Sequence, residues 1–173
     1  MTALAAIIYP MSTQVPIVRQ ILWIAMIPQF AAMVVAIVVA SRFSPSNGFL
    51  YGAGSYLLYS VGARHFITRD HRAGIALVKQ QRLEDAIARF QKSLEFLNRN
   101  SWIDRFRSIV LMSPSAASFR EMALANIGFC YSQMGRGEEA RTYYKKCLDL
   151  FPNSGLAAAA LRMIDSSPPK YKV

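Results

Sequence analysis

In the stretch EMALANIGFCYSQMGRGEEARTYYKKCLDLFPNS, residues 121–154, small and aromatic side chains stand at intervals that suit a tightly packed pair of antiparallel helices. Gly128 and Ala140 are small where two such helices would cross, so their backbones can approach. Tyr131 and Tyr144 fill the space beside that crossing, Leu124 and Ile127 add apolar surface, and Pro152 stops the second helix.

With Leu124, Ile127-Gly128, Tyr131, Ala140, Tyr144 and Pro152 in these places, the stretch resembles a tetratricopeptide (TPR) repeat, a helix–turn–helix unit of about 34 residues. A weaker copy lies 54 residues earlier, over 67–100, with Gly74, Ala86, Phe90 and Leu94 opposite Gly128, Ala140, Tyr144 and Leu148. Glu84, Asp85 and Lys92 fall opposite Glu138, Glu139 and Lys146. Leu77 replaces the first tyrosine and Asn98 the closing proline, so the second helix of this copy is expected to run past its usual end. The difference between 54 and 34 leaves about 20 residues, Ser101 to Arg120, inserted between the units.

The insert has helical character. Ser101 and Asp104 have the spacing of a capping box, and Trp102, Ile103, Phe106, Ile109 and Val110 follow at helical intervals. This predicts an inserted helix over 101–112 and a long helix from 114 to 134 that begins at Pro114. Past Pro152, Ser154 can cap a last helix over 154–165 that covers the open face of the final repeat. The tail, 166–173, reads as disordered.

Residues before 64 have a different composition. No Asp or Glu precedes Asp70, and 22 uncharged residues separate Arg19 from Arg42. As a helix that run would be about 33 Å long, and its Leu, Ile, Val and Phe residues favour membrane insertion by roughly 3–6 kcal/mol. The expectation is a transmembrane hairpin over 20–66, with helices at about 20–41 and 49–66, after an apolar or interfacial segment, 1–19. The second helix is short of aliphatic residues, so one span followed by a surface helix is the alternative. Gly48 and Gly52, with Ala32, Ala36 and Ala40, are small residues one turn apart that suit close helix contact. After residue 63 come Arg64, Arg69, Arg72, Lys79, Arg82, Arg89 and Lys92, whereas the loop of the hairpin has Arg42 alone. By the positive-inside rule the repeats would lie in the cytoplasm, beneath an inner (cytoplasmic) membrane. The expected fold is therefore all-α: a transmembrane helical hairpin, then a TPR-like α-solenoid of two repeats (67–165) with an inserted helix and a C-terminal capping helix.

The net charge of +10 fits anionic lipid better than nucleic acid, because basic residues alternate with acids and no nucleic-acid reader motif is present. His65 and His71 are six apart and fall on different helix faces, against metal ligation. Cys130 and Cys147, without a Cys-x-x-Cys motif, read as small core residues. Nucleophile-elbow, phosphate-loop, zincin and dinucleotide signatures are missing, so the expectation is a protein that is not an enzyme and takes no cofactor.

The TPR resemblance implies a concave groove lined by the first helix of each repeat and used for peptides or partner proteins. Carried over, Thr68, His71, Ile75 and Lys79 would line it from one repeat, and Met122, Ala125, Asn126, Phe129 and Gln133 from the other. TPR grooves that grip the carboxylate tails of chaperones use Lys, Arg and Asn; here Asn126 matches, whereas Ile75, Ala125 and Phe129 do not. A short amphipathic or mixed acidic-apolar peptide suits this groove better. A competing partner surface is Trp102, Arg105 and Arg107 of the insert. The chain also resembles small bacterial TPR proteins, a likeness that bears on architecture and adds no activity. Two functions follow: a membrane-anchored adaptor that presents the groove to a protein partner, or an accessory structural subunit beside other membrane subunits.

Overall fold

The computed structural model describes residues 26–111, 115 and 117–166. All regular structure among them is helical. The expectations for 1–19, for the tail from 167 onward and for the Pro114 helix start lie outside the described residues.

Helices α1 (Ile27–Phe43) and α2 (Gly48–Ile67) form the expected antiparallel hairpin. Small residues hold it together. A Cβ added to Gly48 would strike Ser41, and one added to Gly52 would strike Ile37 and the Ala36 carbonyl. Among the described residues, however, no helix is long and apolar enough to cross a membrane. Residues 20–25 of the expected first span lie outside the described residues; the described helix, Ile27–Phe43, has 17 residues and spans about 26 Å, short of a hydrocarbon core of about 30 Å. Helix α2 has 20 residues, but glycine, serine and tyrosine dilute its apolar character. The transmembrane part of the expected fold is corrected on this finding, and with it the inner-membrane localisation and the orientation drawn from flanking charge.

The two helical pairs that follow repeat each other closely. Helix α3 (Arg69–Lys79) packs on α4 (Leu83–Arg99), and α7 (Phe119–Gln133) on α8 (Gly137–Leu150). In each pair a glycine meets the aromatic ring 16 residues later. A Cβ on Gly74 would lie 2.7 Å from the Phe90 ring, and one on Gly128 2.9 Å from the Tyr144 ring. In each turn one residue has positive φ, Gln81 (62°) and Gly135 (75°). The next residue, Arg82 or Arg136, then pairs with an acid three positions on, Asp85 at 2.6 Å or Glu139 at 2.7 Å. Helix α4 continues to Arg99, beyond the point that matches the end of α8, as the missing proline predicts. Helix α7 lies between α4 and α8, which is why every one of its positions from Ala123 to Gly128 is buried.

The insert departs from expectation. It is two short helices, α5 (Ser101–Arg105) and α6 (Arg107–Val110), broken at Phe106. Ser101 caps nothing: the N-cap is Asn100, without a side-chain bond. The Asp104 carboxylate instead reaches across to α7, taking the Ser118 hydroxyl at 2.6 Å and the Phe119 N–H at 2.9 Å. The capping box belongs to Ser118 and Glu121, so α7 starts at Phe119. Helix α9 (Gly155–Ser166) covers α8, with Ser154 buried at its start and the Arg141–Asp165 ion pair across the contact.

Candidate partner-binding surfaces

Packing of α7 decides which side chains of α3 and α7 a partner could reach. Ile75, Met122, Phe129 and Gln133 are half-buried and Lys79 is exposed. Phe129 and Ile75 rest on the core formed by Val78, Phe90, Ile127 and Cys130 and keep part of their surface outward. Four residues of the expected groove lie inside: Thr68, His71, Ala125 and Asn126 are each at most 7% exposed. The His71 ring lies edge-on against Phe90 and Phe119, with ring centroids 5.3 and 5.7 Å away. Its Nδ1 has no hydrogen-bond partner, and burial pulls its pKa down from 6.5 to about 4. His71 is thus neutral at ordinary pH and ties α3, α4 and α7 together.

Arg82, just past the end of α3, is paired with Asp85, which offsets its charge. Lys79 carries the unpaired charge there among the described residues. A shallow cleft of about 350 Å³ is lined by Gln81, Arg82, Leu83, Glu84, Asp85 and Met134.

The second surface is on the insert. Trp102 is 55% exposed and Phe106 52%, both far above the burial of Ile103 and Leu111 in the same segment. With Arg105, Arg107 and Arg120 they line a cleft of about 480 Å³ that Phe151 closes from the far side. Arg107 is built in: its Nε donates to the Ser115 carbonyl at 3.0 Å and its Nη1 to the Asp104 carbonyl at 3.2 Å. Arg120 is held by Asn98 at 2.9 Å and lies over the Phe151 ring, 5.8 Å from its centre. Arg105 is exposed, with no ion pair among the described residues. Trp102, Arg105 and Arg107 were expected as a competing surface because they belong to the insert; Arg120 and Phe151 join them only because the chain folds back at Ser118.

Both cysteines are buried and free. Burial pushes the Cys130 thiol up to about 12 and the Cys147 thiol up to about 11, so both stay protonated and weakly nucleophilic near neutral pH. His65 is exposed and contacts Arg72 through Nδ1 at 3.3 Å.

Residues 122–154 match the tetratricopeptide repeat family model. No curated protein and no solved structure matches the chain. The matched stretch contains most of α7, all of α8 and the turn between them, so one TPR unit rests on a family match and on its geometry together.

Proposed function

We propose that this chain is a protein-binding module with no catalytic role, which recruits a partner protein as an adaptor along the exposed flank of α3 and α7. TPR repeats generally mediate protein–protein binding, and residues 122–154 match that family. The observation that carries the choice of surface is that the apolar side chains Ile75, Met122 and Phe129 stay only half-buried on α3 and α7, with Lys79 exposed one turn beyond Ile75. Accessible apolar side chains with one exposed cation fit an amphipathic helix or a mixed acidic-apolar peptide, with Phe129 as anchor and Lys79 as orienting charge.

Co-precipitation of the full chain in mild detergent, read by mass spectrometry, tests this. A protein captured by the parent should be lost with Phe129→Ala combined with Lys79→Glu, and weakened with Lys79→Glu alone, a change at an exposed position that leaves the fold intact. Full retention by both variants, at unchanged melting temperature, rejects this surface.

A further inference from the structure

We infer that the cleft between the insert and the end of α8 is a second docking site, which takes an acidic protein segment carrying an aromatic or large apolar side chain. The site differs from the α3/α7 flank and does not depend on it.

Charge comes first. Three guanidinium groups line the cleft against a single carboxylate, Asp104. That carboxylate is buried, and both its oxygens are taken by Ser118 and the Phe119 N–H. It therefore holds the start of α7, and neither Arg105 nor Arg120 has an ion pair among the described residues. Helix α7 contributes little positive charge of its own here, because Ser118 and Asp104 already satisfy its first N–H groups. Two of the arginines are fixed by hydrogen bonds, so a carboxylate that reaches them orders few further side-chain bonds.

The walls add the second requirement. Trp102, Phe106 and Phe151 are aromatic, and the first two are more than half exposed where the insert could have buried them. A volume of about 480 Å³ admits one large side chain with its flanking backbone. Cationic rim and aromatic floor together call for carboxylates beside an apolar anchor. Nucleic acid also carries negative charge, but a compact cleft between short helices offers no groove to follow a backbone.

The probe is a fluorescein-labelled peptide of alternating glutamate and leucine around one central phenylalanine, titrated with the purified full chain. Binding should be saturable and weaken as salt rises. Arg105→Glu and Trp102→Ala should each weaken it by about tenfold or more, both at exposed positions where melting curves confirm folding. Replacing the peptide's phenylalanine by alanine should act similarly, whereas Phe129→Ala with Lys79→Glu should change nothing. Absence of binding to the parent overturns the proposal, as does binding indifferent to Arg105→Glu. So does stronger binding of a single-stranded oligonucleotide of equal charge.

Discussion

The hairpin and the repeats use small residues for the same purpose and large ones for opposite purposes. In α1 and α2, Gly48 and Gly52 let backbones touch, and the large apolar side chains point away: Val34, Val35, Leu57, Leu58 and Phe66 are all more than half exposed. In α3, α4, α7 and α8, Gly74 and Gly128 instead make room for the rings of Phe90 and Tyr144, both at most 3% exposed. A uniformly apolar helix has no preferred inner face, so contact is chosen by size alone. An amphipathic helix has one, and its large side chains define the core. Polar bonds join the regions through the insert: Tyr59 donates to the Val110 carbonyl at 3.2 Å and Arg64 to that of Leu111 at 2.9 Å.

The largest test of this contrast is at the junction. His65 on α2 is exposed, whereas His71 on α3 is buried with its pKa lowered from 6.5 to about 4. A base whose folded pKa is lowered binds fewer protons folded than unfolded. Its contribution is complete above pH 6.5 and is lost as pH falls toward 4, by up to about 3 kcal/mol. Denaturant titrations of the parent and of His71→Phe across that range should differ in slope, with the variant flatter. Parallel curves would mean that His71 is not sequestered.

Packing supplies the next effect. Ala140→Leu and Gly128→Val each overfill the α7–α8 crossing, where Ala140 is fully buried, and should cost about 1–3 kcal/mol. Gly54→Ala in α2 meets open space and should leave stability unchanged or raise it by up to about 1 kcal/mol through helix propensity. Thermal melts that rank these variants the other way would erase the distinction between the regions.

The smallest effect concerns the turns. Gln81 adopts the left-handed backbone that Gly135 adopts at the equivalent place. Gln81→Gly should therefore raise the melting temperature, by about 1 kcal/mol of relieved strain. A fall would mean that the Gln81 side chain contributes contacts that outweigh the strain.

The glycine–aromatic contacts were legible in the sequence because they are local, joining residues within one helical pair. The capping role of Ser154 was legible for the same reason, and Ala157 N–H reaches its hydroxyl at 3.5 Å. Asp104 was misread: its spacing to Ser101 satisfies a local rule, but its partners lie on α7, across a fold-back that no spacing announces. His71 and Asn126 were placed on the groove by alignment to a repeat, yet burial depends on how α7 settles between its neighbours. The membrane expectation rested on an apolar run that the described helix covers only from Ile27 onward. Arg120 and Phe151 escaped notice because each is ordinary on its own helix and acquires meaning only opposite Trp102.

Which region meets the partner can be measured directly by photocrosslinking. A photoreactive amino acid is placed at Lys79, exposed on α3, and in a separate variant at Leu58, 78% exposed on α2. Capture of a partner protein from the Lys79 position, abolished when Phe129→Ala is added and absent from the Leu58 position, is the predicted result. Capture of the same protein from Leu58 and not from Lys79 would contradict the account, because the partner would then be held by the hairpin's outward apolar face.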